Sequence, residues 1–162
     1  MQKELHISYE EFNNWAELNE QDRNLLSAAQ DATGLAYVPY SQFKVGAAVL
    51  LESGKIYKAG NQENASYPVT ICAERTLLST LTSVANGEKI LAMAVSYYKN
   101  SENYTQPISP CGMCRQAIVE AETRQGAPIT IILGANNPEN KVYKVDGIAS
   151  LLPFQFTSED LK

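Results

Sequence analysis

The sequence predicts an α/β protein, a three-layer α/β/α sandwich around a mixed sheet of about five strands. Apolar segments of strand length alternate along the chain with amphipathic segments of helical length. Two of the predicted strands flank the turn Glu52-Ser53-Gly54 and form a hairpin. A chain of 162 residues, of which 44% are hydrophobic and 19% charged, supports one hydrophobic core.

Residues 1–18 are predicted to form an arm that docks on a single domain spanning residues 19–162. Leu5, Ile7 and Tyr9 alternate with polar residues, which predicts a short strand. The next apolar residues recur at a spacing of three, which predicts a helix after that strand. They are Phe12, Trp15 and Leu18.

Capping and turn residues place the elements of the domain. Asn19 is a good N-cap and acidic residues follow it, so a helix is expected to begin there and to end near Gly34. The later elements are predicted in this order: strands at 43–51 and 55–60, a helix from Thr70 to Val84, a strand at 89–97, a polar loop from Lys99 to Ser109, a helix from Pro110 to Gly126, strands at 128–133 and 141–145, and a helical turn at 148–152.

Charge and composition exclude several classes of function. The formal net charge is −5 and the chain has no Lys/Arg-rich run, so a nucleic acid is not expected as a partner and a small uncharged substrate fits better. No segment has the length and apolar character of a targeting signal or a membrane span. A cytoplasmic location is therefore expected. Thiols stay reduced there, which favours metal ligands or free thiols over disulfides for the three cysteines.

The three cysteines are predicted to bind one catalytic zinc ion. Cys72 lies near the start of one predicted helix, and Cys111 and Cys114 lie on the first turn of another. Helix N-termini favour anions, so the thiolate forms should be accessible there. Three protein ligands without an evident fourth are typical of a catalytic zinc site, whose open position takes water.

Glu74 and Arg75 are expected to assist the metal. Glu74 follows Cys72 by two residues, so its carboxylate can move protons between water and a leaving group without binding the metal. Three thiolates give the zinc site a net charge of about −1, which weakens acidification of water. A hydrogen bond from Arg75 to a thiolate would offset that charge.

Three other interpretations of the cysteines remain open at this point. Cys111 and Cys114 have the CxxC spacing of a redox pair, although that leaves Cys72 unexplained. A structural zinc site is the second, but it normally has four ligands, and the only histidine, His6, is in the arm. Buried free thiols are the third.

Four short motifs and a C-terminal one resemble the cytidine deaminases of the small homotetrameric, three-cysteine zinc type. The motifs are Tyr40-Ser41-x-Phe43-x-Val45-Gly46-Ala47, Asn61-x-Glu63-Asn64-Ala65-Ser66-Tyr67-Pro68, Thr70-Ile71-Cys72-Ala73-Glu74-Arg75-Thr76, Ser109-Pro110-Cys111-Gly112-Met113-Cys114-Arg115-Gln116 and Leu151-Leu152-Pro153-x-x-Phe156. The resemblance covers roughly residues 20–161. It implies a cytidine deaminase-like fold, one Zn²⁺ per chain, and conversion of cytidine and deoxycytidine to uridine products in pyrimidine salvage.

The resemblance also implies a role for individual residues. Glu74 shuttles the proton, while Cys72, Cys111 and Cys114 bind zinc. The substrate-binding residues follow: Asn61 and Glu63 on the ribose 3′-hydroxyl, Phe43 on the pyrimidine, the Ala73 backbone on the base carbonyl, the Ser109 carbonyl near the departing amine, and Tyr67 and Phe156 reaching a neighbouring subunit's site in a homotetramer. For each aromatic residue, ordinary core packing is the competing interpretation.

Three departures from the family pattern and three competing functions accompany this prediction. The departures are the arm, Gln62 in place of an aliphatic residue, and Gln155 and Thr157 around Phe156. A deaminase of another amine-bearing substrate, such as blasticidin S, shares the cysteine motifs. A tRNA or nucleotide deaminase is disfavoured, since these usually have His in place of Cys72. A non-catalytic zinc module would not need Glu74.

Overall fold

The computed structural model describes residues 1–85, 87–99 and 105–162 and contains one six-stranded mixed sheet with a helical layer on each face. The strands are β1 (Glu10–Phe12), β2 (Lys44–Leu51), β3 (Ile56–Gly60), β4 (Ile90–Tyr98), β5 (Thr130–Gly134) and β6 (Val142–Asp146), and the helices are α1 (Glu20–Ala32), α2 (Ala73–Val84) and α3 (Gly112–Gln125). The spatial order is β1-β6-β5-β4-β2-β3. Only β4 and β5 pair in parallel, and the other neighbours are antiparallel.

Two hydrophobic clusters hold the three layers together, one on each face of the sheet. The larger cluster joins α2 and α3 to the sheet, while the smaller joins α1 and the arm to the opposite face. Gly46 on β2 permits close packing of α1, because a Cβ there would lie 2.1 Å from the Ala29 carbonyl oxygen. The predicted three-layer α/β/α class is confirmed.

Helix capping agrees with the sequence at α1 and differs at α2. The Asn19 side chain accepts a hydrogen bond from the Asp22 backbone N–H, so α1 begins where predicted. Helix α2 begins at Ala73 and not at Thr70, because Tyr67–Val69 forms a separate 3₁₀ turn and Ile71 forms a β-bridge with Gln62. Part of the predicted loop between Lys99 and Ser109, residues 100–104, lies outside the described residues.

The sixth strand is the main correction to the predicted sheet of about five strands. It is β1, which comes from residues 1–18 and pairs antiparallel with β6, with Glu11 opposite Tyr143. The alternating residues Leu5, Ile7 and Tyr9 are exposed and precede this strand, so the strand predicted for them was wrong in position. The alternation of apolar and polar residues does not predict the position of β1, because that position is set by pairing with β6, which is distant in sequence. The division into an arm and a domain stays a prediction.

Within the described residues, no helix combines the length and the apolar character needed to cross a membrane.

Candidate active site

Three cysteine sulfur atoms meet where α2 and α3 begin. Cys72 immediately precedes α2, Cys111 immediately precedes α3, and Cys114 lies on the first turn of α3. The Sγ atoms of Cys72 and Cys111 are 3.7 Å apart, and those of Cys111 and Cys114 are 3.4 Å apart. All three lie within 4.8 Å of one another, and we call them the sulfur cluster.

The sulfur cluster fits a zinc ion. Zn–S bonds of about 2.3 Å at tetrahedral angles place sulfur atoms about 3.8 Å apart, close to the two measured separations. Thiolates are also the soft ligands that zinc accepts. In the described part of the chain, this group of possible ligands contains the three sulfur atoms alone, which leaves a position for water.

Hydrogen bonding within the cluster favours the thiolate of Cys72. The hydrogen bond from Cys114 lowers the pKa of Cys72 to about 6, and Cys111 and the positive charge of Arg75 act in the same direction. The same Cys72–Cys114 hydrogen bond, together with burial, raises the pKa of Cys114. Zinc must therefore displace protons from the cluster when it binds.

Glu74 lies beside the cluster on the first turn of α2, and its residue is only 4% exposed. Burial raises the pKa of its carboxyl, and the negative charge of Cys72 raises it further. A carboxyl with a raised pKa exchanges its proton more readily near neutral pH than an exposed one. This environment suits a group that carries a proton for part of a reaction.

Arg75 makes a different contact from the predicted one. Its guanidinium Nη1 lies 3.9 Å from the sulfur atom of Met113, on the first turn of α3. It nevertheless acts on Cys72 electrostatically, because its charge lowers the pKa of that thiol. A hydrogen bond from Arg75 to a thiolate stays a prediction.

Asn61 and Glu63 lie in a segment that backbone hydrogen bonds join to the residue before Cys72. Between them, the Gln62 backbone pairs with Ile71, the residue before Cys72, at 2.9 and 3.0 Å. The Gln62 side chain donates to the carbonyls of Leu35 and Gly60, which explains how a polar residue is accommodated here. The segment that carries the predicted sugar pair is thus tied directly to the start of α2.

The two members of this pair already have protein partners. The Asn61 side chain accepts from the Val45 N–H at 2.8 Å and donates to the Phe43 carbonyl at 3.1 Å. The Glu63 carboxylate accepts from the backbone N–H groups of Tyr40 and Ser41 at 2.9 and 3.2 Å. Each side chain keeps further hydrogen-bonding capacity for a hydroxyl. The hydrogen bond from the Ser41 side chain lowers the pKa of Glu63, so Glu63 stays ionised.

The predicted aromatic contacts lie in three places. Phe43 is half-buried and stacks on Tyr97 with ring centroids 5.5 Å apart. Tyr67 is 69% exposed and meets Tyr40 edge to face at 5.8 Å, beside a surface cavity that Glu63 also lines. Phe156 is 57% exposed, and its carbonyl accepts a hydrogen bond from Gln116. Neither Tyr67 nor Phe156 is a core residue.

Two backbone positions complete the predicted set. Ala73 is fully buried as the first residue of α2, where helix N–H groups have no partner within the helix. Ser109 is exposed, precedes Pro110 and Cys111, and lines a cavity together with Ile7 and Tyr9 of residues 1–18. The individual roles predicted for these residues stay predictions.

Sequence reasoning missed two side chains that support the site. Tyr97, the fully buried partner of Phe43, lies within an apolar strand pattern that gives no functional signal. Arg115 donates to the carbonyls of Pro110 and Leu151 at 2.8 and 2.7 Å, joining the zinc-binding turn to the C-terminal segment. Arg115 belongs to the cysteine motif that ends at Gln116, but the sequence assigned it no role of its own.

Similar proteins agree with this fold and site. Residues 19–127 match the family described as the cytidine and deoxycytidylate deaminase zinc-binding region. Cytidine deaminase of Halalkalibacterium halodurans is 37% identical over 140 residues, which cover 85% of this chain and 95% of the relative. Blasticidin-S deaminase of Bacillus cereus is 30% identical over 144 residues, which cover 86% and 95% of the two chains.

A crystal structure of cytidine deaminase from Burkholderia pseudomallei superposes with a TM-score of 0.68 at 36% identity and covers 82% of this chain and 97% of that one. The α/β/α fold, the sulfur cluster and these relatives together identify the protein as a zinc-dependent hydrolase. More particularly, the chain belongs to the cytidine and deoxycytidylate deaminase family, as its motifs predict, and its cofactor is zinc.

Proposed function

We propose that this chain catalyses the hydrolytic deamination of cytidine and deoxycytidine to uridine and deoxyuridine, with release of ammonia. The observation that carries the proposal is the sulfur cluster at two helix N-termini with the buried Glu74 beside it. A redox pair would need neither the third cysteine nor the carboxylate, and a structural zinc site would normally have a fourth ligand. Family membership supports the same activity.

The chemistry assigned to this chain is proton transfer at the cytosine ring. Zinc, when bound, supplies the polarisation that makes water a nucleophile at neutral pH. Glu74 takes a proton from the attacking water and delivers it to N3 as the water oxygen adds to C4. A second transfer through Glu74 protonates the amino group, which leaves as ammonia. The raised pKa of Glu74 supports both transfers.

Substrate orientation is assigned to the residues around the cluster. The buried N–H group of Ala73 is proposed to bind the base carbonyl, and the Ser109 carbonyl to face the departing amine. Phe43 would pack on the pyrimidine. Asn61 and Glu63 would hold the 3′-hydroxyl with the hydrogen-bonding capacity that their backbone contacts leave.

The proposal extends to assembly and location. Tyr67 and Phe156 present exposed rings, which supports a homotetramer in which they complete a neighbouring subunit's site. All three cysteines are free thiols, which suits the reducing cytoplasm. Sedimentation analysis of the purified protein tests the assembly, since a stable monomer would contradict it.

A parallel ultraviolet assay of cytidine, deoxycytidine and blasticidin S tests the function. Blasticidin S is the second candidate substrate because a blasticidin-S deaminase is among the relatives. We expect the two nucleosides to be converted with kcat/KM in the usual enzyme range of about 10⁴–10⁸ M⁻¹s⁻¹. Turnover of blasticidin S without turnover of cytidine would contradict the substrate assignment, and inactivity of the zinc-loaded protein on all three would contradict the function.

A further inference from the structure

Tyr97 connects two parts of the site that are far apart in sequence. Its side chain is fully buried at the end of β4. The ring stacks on Phe43 at a centroid distance of 5.5 Å and an interplanar angle of 13°. The hydroxyl donates to the Gln106 carbonyl at 3.0 Å. One residue therefore contacts both the proposed pyrimidine-packing ring and the loop that leads to Ser109.

The loop contact continues towards the arm. The Tyr143 hydroxyl donates to the side-chain oxygen of Gln106 at 3.4 Å, so Gln106 is held from β4 and from β6. Tyr143 also meets Tyr9 edge to face at 5.3 Å. Gln106 lies three residues before Ser109, and the loop then enters α3 through Cys111. A shift of Gln106 would thus move the Ser109 carbonyl.

Phe43 is constrained from its other side as well. Its carbonyl accepts from the Asn61 side chain at 3.1 Å, and its N–H donates to the Ser41 hydroxyl at 3.0 Å. These bonds fix the backbone, whereas the stacking contact with Tyr97 fixes the plane of the ring. The plane of the Phe43 ring and the position of Gln106 are consequently both constrained by contacts with Tyr97.

We propose that Tyr97 is a positioning residue for the deamination: its ring orients Phe43, and its hydroxyl holds the Gln106–Pro110 loop at the distance that the leaving amine requires. The inference rests on the proposed function. The two contacts of Tyr97 are separable by mutation, because phenylalanine keeps the ring and loses only the hydroxyl.

The test compares Tyr97→Phe, Tyr97→Leu and the neighbouring control Tyr98→Phe, each with its zinc content measured. Tyr98 is exposed and contacts Lys44, so its hydroxyl serves as a matched control. We expect Tyr97→Phe to lower kcat by about five-fold, the factor that one hydrogen bond contributes, with KM within two-fold of wild type. Tyr97→Leu should also raise KM, since Phe43 loses its stacking partner.

Hydrogen exchange of residues 105–111 gives a readout that is independent of catalysis. Exchange there should be faster in Tyr97→Phe than in Tyr98→Phe, because only the former loses the bond to Gln106. Equal kcat and equal loop exchange in the two phenylalanine variants would overturn the inference. A wild-type chain that is inactive on cytidine would instead contradict the proposed function, and the exchange comparison would then still decide whether the Tyr97 hydroxyl holds the loop.

Discussion

The sulfur cluster with Glu74 and the exposed aromatic residues Tyr67 and Phe156 are built in different ways. The cluster is assembled at two adjacent helix N-termini of one chain, where Cys114 and Glu74 are buried. Tyr67 and Phe156 instead leave more than half of their surface in solvent. The proposed catalytic groups thus all lie within a single chain, whereas these rings still have apolar surface to bury.

This difference separates the demands of chemistry from those of substrate recognition. Proton transfer needs a dry and rigid environment, since burial is what raises the pKa of Glu74. Recognition of a sugar and a base tolerates exposed groups that become covered only on binding or assembly. Substitutions of the buried groups, such as Glu74, should therefore affect kcat most. Substitutions of the exposed residues should mainly affect KM.

The largest effect is expected for Glu74→Gln. Glutamine has nearly the same shape but carries no exchangeable carboxyl proton, so kcat should fall by about 10²–10⁴-fold, the usual contribution of acid–base catalysis. Zinc content should stay near one ion per chain, and the melting temperature should not fall, because a neutral amide replaces a buried carboxyl. Glu120→Gln on the exposed side of α3 is the control. Full activity of zinc-loaded Glu74→Gln would refute the assigned mechanism.

A smaller effect is expected for Glu63→Gln. Loss of the charge weakens the proposed charge-assisted hydrogen bond to the sugar, so kcat/KM for cytidine should fall about 10- to 100-fold. Assays with cytidine and 3′-deoxycytidine distinguish two roles of Glu63: binding of the 3′-hydroxyl and support of the Tyr40–Ser41 backbone. The defect should nearly vanish on 3′-deoxycytidine. An equal defect on both substrates would mean that Glu63 acts only by holding the backbone of Tyr40 and Ser41.

Phe156→Ala should have a modest effect that falls on KM. Removal of a ring that covers the substrate costs about 1 kcal/mol, so KM should rise roughly five-fold while kcat changes little. Phe154 is 91% exposed and two residues away, which makes Phe154→Ala a matched control. If both variants behave alike in steady-state kinetics, the proposed reach of Phe156 into a site is wrong.

Trp15→Ala should leave catalysis unchanged and lower stability. The indole is buried in the smaller hydrophobic cluster, so its truncation should cost about 3–5 kcal/mol in urea unfolding. Trp15→Phe should cost less, because the indole nitrogen has no hydrogen-bond partner among the described residues. A change in kcat per zinc-loaded chain would show that residues 1–18 act on the active site through Trp15.

The sequence was informative wherever a feature depends on local order. Asn19 identifies the start of α1, and the Cys111–Cys114 spacing places two ligands on one helical turn. Features that depend on contacts between distant residues could not be predicted from the sequence. The register of β1 on β6 and the stacking of Tyr97 under Phe43 both join residues far apart in sequence, and neither leaves a periodic pattern.

The start of α2 illustrates the same limit on a smaller scale. The apolar pattern extends back to Thr70, but the bridge between Ile71 and Gln62 delays the helix until Ala73. That delay makes Cys72 the N-cap of α2. Helix propensity alone cannot predict this later start of α2, because the competing contact, with Gln62, comes from another part of the chain.

Zinc titration of the metal-free protein shows whether the sulfur cluster carries the deaminase activity. Zinc is removed with a chelator and restored in known steps, while cytidine loss is followed by its ultraviolet absorbance. We expect no activity without zinc, a linear recovery with added zinc, and saturation at one ion per chain, as one sulfur cluster per chain requires. Deamination that survives complete zinc removal, or that never appears at one equivalent of zinc, would contradict zinc-dependent catalysis at the sulfur cluster.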